Sequence, residues 1–234
     1  MRKLQNLSVQ FEEFGDPLKG VYAAKPELPA TAGNEGVAEI VEVGSSVRRL
    51  KAGDWVVPKD AGVGTWRQYA ISGEENFMQI PNDIPLADAA TLLVNPTTAY
   101  RMLKDFQPLR RGDSVIQNAA NSNVGRAVIQ LARNWGITTI NLVRDRPGID
   151  ELKQELTSLG ADYVLTEAEL KGPLGQEIFK KLPKKPKLAL NGVGGRGTIY
   201  LCASLREKGT LVTYGGMSKM PLQIQTGALI FQAI

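Results

Sequence analysis

The sequence predicts an α/β chain, with short strands in its first third and a doubly wound parallel sheet after them. Three observations carry this. From Gly112 to Arg146 the run GDSVIQNAANSNVGRAVIQLARNWGITTINLVRDR reads as strand, tight turn, helix, strand. After it, β-rich runs alternate with amphipathic runs, the pattern of a parallel sheet covered on both faces. Before it, short β-rich runs are separated by regular turns, as in a small β-barrel.

Taken in order, Leu4, Leu7 and Val9 with Phe11 suit one edge strand, and Gly20-Val21-Tyr22 leads into a Pro-rich turn from Lys25 to Pro29. Val37, Ile40, Val41 and Val43 mark a strand, Gly44 a turn, and Lys51 to Asp54 a turn into Trp55-Val56-Val57. Trp66–Ile71 reads as a further strand, Phe77–Pro85 as a strand ending in a loop, and Leu86–Lys104 as a helix in two pieces broken by Asn95-Pro96. In the central unit, Val115 and Ile116 give Ser114–Gln117 the mark of a buried strand. Asn118–Gly125 is a turn of small and polar residues plus Val124. Arg126–Trp135 sets Val128, Ile129, Leu131, Ala132 and Trp135 at helical spacing, with Gly136 as the stop. Thr138–Val143 is the next strand. Helix Ile149–Gly160, strand Asp162–Leu165, helix Glu167–Lys185, strand Leu188–Asn191, helix Ile199–Arg206 and strand Thr210–Tyr214 follow.

Composition narrows the chemistry. A chain of 234 residues with 43% hydrophobic and 22% charged residues has the make-up of a soluble globular protein. No apolar run approaches the ~20 residues that a membrane-spanning helix needs. There is no histidine, which removes His-based nucleophilic triads, His general bases and His-built zinc sites; the single cysteine, Cys202, rules out a Cys₄ zinc site and an internal disulfide. No metal site is expected, and a proton donor must be Tyr, Lys, a carboxyl group or water. The net charge is +4 and the pI about 9.1, but the basic residues are spread without an aromatic-interleaved stripe, so nucleic acid is not the expected partner. The N-terminus, MRKLQ, soon meets Glu12, Glu13 and Asp16, a poor organellar presequence.

The turn after the Ser114–Gln117 strand stands where a helix N-terminus would receive a pyrophosphate. Its glycine fingerprint is incomplete: Ala120, Asn121, Ser122, Asn123 and Val124 precede a single Gly125, the glycine that lets helix and strand pack closely, and Asn123 is suited to a left-handed turn conformation. Alone, the loop fits a dinucleotide site or an ordinary turn equally well. The second strand adds to it. An NAD site wants an acidic residue at its end; here Arg144 and Arg146 flank Asp145, a setting for a 2′-phosphate and hence for NADPH, or else a solvated basic turn.

The run G-x-E-G-x-x-x-I-V-x-V-G followed by G-D-W-V resembles the medium-chain dehydrogenase/reductases. PELPATAGNEGVA, GVGTWR, VNPTTAYRML, GDSVIQNAANSNVGRAVIQ, TINLVRDR and LVTYGGM together resemble the mitochondrial enoyl thioester reductases, across most of residues 20–232. The resemblance implies a partial GroES-like catalytic barrel over residues 1–92 and a Rossmann-type NADP-binding domain over residues 93–234. It implies reduction of trans-2-enoyl thioesters, carried on acyl carrier protein or CoA, in mitochondrial fatty acid synthesis, with the homodimer and the mitochondrial location of the family. By position it assigns Tyr22, in the G-x-Y segment before the P-E-L-P turn, as the catalytic tyrosine. Its cofactor residues fall on Asn95, on Asn121, Ser122, Asn123 and Val124, on Arg144, Asp145 and Arg146, and on Tyr214, Gly215, Gly216 and Met217. Without the resemblance, Tyr22 reads as a surface tyrosine, Asn95 as a helix breaker and Tyr214-Gly215-Gly216 as a plain turn.

The chain departs from the family in four places. Val21 stands for the usual Asn and Asn123 for the usual Gly. Phe14–Pro17 joins Leu18–Gly20 almost directly where the family has a long segment. The chain stops at Ile234 where the family continues. The expectation is an internally deleted, C-terminally shortened form with uncovered strand edges and marginal stability. Two other readings stay open: a catalytically silent NADP-binding or interaction module, and a quinone reductase of the same superfamily. Lys180, Lys181, Lys184, Lys185 and Lys187, crowded in one segment, fit either a solvated loop or a docking surface for an acidic carrier protein.

Overall fold

Buried β-branched and aliphatic residues set the five strands of the second half. The structure, a computed structural model, describes residues 10–11 and 27–234. The chain forms two compact units, Met1–Val94 and Asn95–Ile234. In the second unit, β6 (Ser114–Gln117), β7 (Thr138–Leu142), β8 (Tyr163–Leu165), β9 (Leu188–Asn191) and β10 (Thr210–Thr213) make one sheet in the order β10-β9-β6-β7-β8, every neighbouring pair parallel. The two central strands, β6 and β9, are buried at every position, as expected of strands covered on both faces.

The pleat divides their side chains between two layers. Val115, Leu188 and Leu190 pack with Ala99, Met102 and Leu103 of α2 (Asn95–Asp105) and Val124, Val128 and Ala132 of α3 (Asn123–Trp135). Ile116, Ile140 and Ala189 point the other way. They meet Leu170 of α5 (Glu167–Lys171), Ile178 of α6 (Pro173–Lys181), and Leu201 and Leu205 at α7 (Gly197–Ser204). Leu152 and Leu156 of α4 (Ile149–Leu159) join Ile129 and Val143 in a third cluster. Cys202 is buried on α7, and burial pushes its thiol up. The crossovers run β6-α3-β7-α4-β8 to one side; α5 and α6 then return the chain to β9, and α7 leads on to β10. The direction of winding therefore reverses between β6 and β9.

Several boundaries differ from expectation. Helix α3 starts three residues early, at Asn123, because the Ser122 hydroxyl accepts the Gly125 N–H at 3.1 Å and caps it; Gly136, left-handed at φ 68, ends it. Asn123 is therefore the first helical residue and takes no left-handed conformation. The turn's positive φ falls on Ala119, at 50. The helix expected over Glu167–Lys185 is two helices meeting at extended Gly172, with Pro173 starting the second. Asn95-Pro96 opens α2 rather than breaking a helix, since a first-turn proline loses no intrahelical bond; the break lies over residues 91–94, after α1 (Leu86–Ala90).

In the first unit, β3 (Ala38–Glu39), β4 (Trp55–Pro58) and β5 (Phe77–Ile80) form an antiparallel sheet with β4 in the middle, and β1 (Gln10–Phe11) pairs with β2 (Ala30–Thr31). Val57, Ile80 and Ala89 centre its core. The strand expected from Val37 to Val43 shortens to β3, with Val41 and Val43 exposed, although Ile40 still exchanges backbone bonds with Gly53 and Asp54. The expected strand Trp66–Ile71 does not form. Its large side chains Trp66, Tyr69 and Ile71 are exposed, and the Arg67 guanidinium donates back to the carbonyls of Val63 and Gly64. Leu4, Leu7 and Val9 lie outside the described residues. No helix among the described residues is long and apolar enough to cross a membrane.

The N-terminal edge of the parallel sheet is tied by charge. The Lys187 ammonium, before β9, donates to the Pro108 carbonyl at 2.6 Å and to the Asp113 carboxylate, before β6, at 3.2 Å; the Arg110 N–H donates to the same carboxylate at 2.8 Å. Burial opposes the Asp113 charge, but these donors outweigh it and hold the carboxyl below its usual range. The ionised form thus adds stability that is present above the ordinary carboxylate pKa and lost as pH falls through the lowered one. Asp113→Asn is expected to lower the melting temperature at about pH 6, and the gap from wild type should close towards about pH 3. A gap unchanged over that range in thermal melts would show that the charge of Asp113 is not what ties this edge.

Candidate functional site

The opposite edge of the sheet is built from neutral amides. Gln117 and Asn118 end β6, Asn141 lies near the end of β7, and Asn191 ends β9; all four side chains are buried. The Gln117 amide donates to Asn141 Oδ1 at 2.8 Å and to the Gly125 carbonyl at 3.0 Å. The Asn118 amide donates to Asn191 Oδ1 at 2.8 Å, while Asn118 Oδ1 accepts the Gly192 N–H at 2.7 Å. Asn191 Oδ1 also accepts the Gly194 N–H at 2.9 Å, and its amide reaches Thr198 and Thr213 at 3.2 Å each. These bonds fix the loops that leave β6 and β9, at the point where the winding reverses. In open α/β sheets that crevice is where ligands bind.

The β6–α3 loop lies on this edge. A Cβ on Gly125 would stand 2.5 Å from the Ala120 carbonyl oxygen and 2.7 Å from that of Ala119, so only glycine lets the helix start this close to the strand end. Ser122 takes the Gly125 N–H, and Arg126 N–H closes on the Ser122 carbonyl at 2.9 Å. Asn123 and Val124 keep first-turn N–H groups with no partner among the described residues, at the positive end of a 13-residue helix. The Asn121 carbonyl accepts from Arg126 at 3.1 Å. These donors suit an oxyanion such as a pyrophosphate.

The other predicted cofactor residues gather on the same edge. Arg144, Asp145 and Arg146 follow β7 and are exposed, and neither guanidinium has a hydrogen bond or ion pair among the described residues. Tyr214 follows β10, its N–H bonded to the Asn191 carbonyl at 3.0 Å. A Cβ on Gly215 would sit 2.8 Å from the Gly192 carbonyl oxygen, so the two loops meet backbone to backbone. The Met217 N–H reaches that carbonyl at 3.3 Å; the Met217 side chain is exposed, and a Cβ on Gly216 would meet open space. Burial pushes the Tyr214 phenol up, opposed in part by Ser122, and its buried oxygen has no partner at hydrogen-bond geometry. Asn95 starts α2. Tyr100, in the middle of α2, packs edge-on against Trp135, the last residue of α3, with ring centroids 5.7 Å apart. Tyr22 lies outside the described residues. Among the described residues no group of three side chains could hold a metal ion.

The model of the Alcohol dehydrogenase GroES-like domain matches residues 9–82. The mitochondrial enoyl-acyl-carrier-protein reductase of Homo sapiens is 56% identical over 215 residues, which cover 92% of this chain and 57% of that protein. The chain is a homologue of the mitochondrial enoyl-acyl-carrier-protein reductases. It thus spans less than two thirds of the length of such reductases; the Arabidopsis thaliana protein is 47% identical over the same shares. The solved Etr1p/NADP/crotonyl-CoA complex superposes with a TM-score of 0.85 at 36% identity, covering 92% of this chain and 66% of that one. The mitochondrial 2-enoyl thioester reductase Etr1p/Etr2p heterodimer of Candida tropicalis gives 0.84 at 36% identity over the same shares. A putative NADPH:quinone reductase of Bacillus thuringiensis gives 0.75 at 29%, covering 92% of this chain and 62% of that one.

The amide row of Gln117, Asn118, Asn141 and Asn191 was not singled out from sequence. Its signal was there: each is a polar residue at or near the C-terminal end of an apolar strand. The lysine segment changes character on folding. Lys187 is committed to Asp113, Lys181 pairs with Glu177, and Lys185 donates to the Ala203 carbonyl. With no well-formed partner for the Tyr214 hydroxyl, Tyr214→Phe is expected to change the stability of the fold by less than about 1 kcal/mol. Urea denaturation measures this, and a larger loss of stability would mean that the hydroxyl has a partner in the folded protein.

Proposed function

We propose that this chain carries out NADPH-dependent reduction of trans-2-enoyl thioesters, borne on acyl carrier protein or CoA, in mitochondria. The reading rests on homology to the mitochondrial reductases. The observation that carries it is the C-terminal edge of the sheet, which carries the free N–H groups of α3 and the close Gly125 contact after β6 and the unpaired Arg144 and Arg146 after β7. Residues 1–92 form the catalytic part in this proposal and residues 93–234 the cofactor part.

In the cofactor part, Asn121, Ser122, Asn123 and Val124 hold the pyrophosphate at the N-terminus of α3. Arg144 and Arg146 grip the 2′-phosphate, with Asp145 between them. Tyr214, Gly215, Gly216 and Met217, with Asn95, border the nicotinamide side. When bound, NADPH supplies the hydride that the β-carbon of the thioester takes. Tyr22 orients the thioester oxygen or gives a proton to the α-carbon; a phenol is an available donor in a chain without histidine.

The deciding experiment is NADPH oxidation by the purified chain with a 2-enoyl-CoA. Binding without turnover would leave a silent NADP-binding module, and turnover with a quinone alone would favour the quinone reductase reading. Arg144→Ala/Arg146→Ala is expected to lower the NADPH-over-NADH binding preference at least about tenfold, because charge-assisted hydrogen bonds contribute about 1.5–3 kcal/mol each. An unchanged preference would remove the arginines from the site. Tyr22→Phe is expected to lower kcat by about 10²–10⁴ with little change in NADPH affinity. A rate equal to wild type would return Tyr22 to the surface.

A further inference from the structure

The N-terminal edge of the parallel sheet carries a cleft, at the other end of the strands from the proposed cofactor edge. It opens between the end of α2, the loop Pro108–Arg111 and the end of α3, with a volume of about 370 Å³. Its apolar part is the half-buried Leu109 and Trp135, with Leu103 buried beneath them, and Lys104, Arg110 and Arg111 also line it. The size lies at the lower end of the range of small-molecule sites.

The cations of this rim are uncompensated. Elsewhere in the unit, Arg126 pairs with Glu155, Lys153 with Glu169 and Lys187 with Asp113. The side chains of Arg110 and Arg111 have neither a hydrogen bond nor an ion pair among the described residues, and Lys104 has only the Trp135 ring, 6.0 Å from its ammonium. The carboxylates beside them are already used: Asp105 pairs with Arg101, and Asp113 takes Lys187 and the Arg110 N–H. Three positive groups thus stand beside the half-buried Trp135 with no acid among the described residues left to answer them.

We propose that this cleft binds a small organic anion, a carboxylate on a short apolar body. The guanidinium forks of Arg110 and Arg111 match the two oxygens of a carboxylate. The body lies against Trp135 and Leu109, and Lys104 stays over the ring. The inference does not depend on the reductase reading, since none of these residues lies on the proposed cofactor edge.

The test is calorimetric titration of the whole chain with hexanoate, with hexan-1-ol as the neutral body and inorganic sulfate as the bare anion. Saturable binding of hexanoate at one site is expected, at least about tenfold tighter than hexanol or sulfate. Arg110→Ala/Arg111→Ala should weaken hexanoate at least about tenfold and leave NADPH affinity unchanged. Absence of saturable hexanoate binding would overturn the proposal, as would hexanol binding equally well. So would a double variant that melts earlier yet binds hexanoate like wild type; the arginines would then merely offset the negative C-terminal ends of α2 and α3. If the double variant fails to fold, the hexanoate and hexanol titrations of wild type decide alone.

Discussion

The contact between Asn118 and Asn191 holds the centre of the parallel sheet at the point where its winding reverses. Side-chain amides there do what strand ladders do elsewhere. Asn118 both donates to Asn191 and accepts from Gly192, and Asn191 takes the Gly194 N–H in the same plane of contacts. A buried donor or acceptor left unmade costs about 1–3 kcal/mol, so a partial set of these bonds would be worse than none. The loops after β6, β9 and β10 inherit their positions from this row. The Tyr214 N–H is bonded to the Asn191 carbonyl, and Gly215 lies against the Gly192 carbonyl. A site assembled from three loops is precise only if the strand ends beneath them do not slide.

Much of the second unit was legible because its signals were local. Val115 and Ile116 announced a buried strand, the spacing of Val128, Ile129 and Ala132 a helix, and Gly136 and Gly160 the C-terminal ends of α3 and α4. What failed had local causes in the second unit and a tertiary one in the first. The start of α3 depended on the Ser122 cap, which competes with the turn character of Asn123. Gly172-Pro173 split a helix that looked continuous by apolar spacing. In the first unit, β-branched and aromatic residues at Val41, Val43 and Trp66–Ile71 promised strands, but β-propensity describes a side chain that packs, and these remain exposed.

The candidate site was read mainly through its resemblance. Arg144 and Arg146 carried their own chemical signal, while Asn95 and Tyr214 did not. The amide row was passed over because a single polar residue ending a strand is unremarkable. Only the strand order β9-β6-β7 sets three such ends side by side. The paired lysines show the converse. Five cations close in sequence fit a solvated loop or a docking surface alike; of them, Lys187 is drawn into the sheet edge by Asp113 and Lys181 is answered one helical turn away.

Cys202 gives the fold a built-in clock. It is the chain's single thiol, it sits 1% exposed on α7, and its raised pKa keeps the nucleophilic thiolate scarce. Any reagent that alkylates this protein at sulfur must wait for α7 to lift from the sheet. The pace of labelling therefore times the lifting of α7 from the parallel sheet, without a reporter having to be introduced.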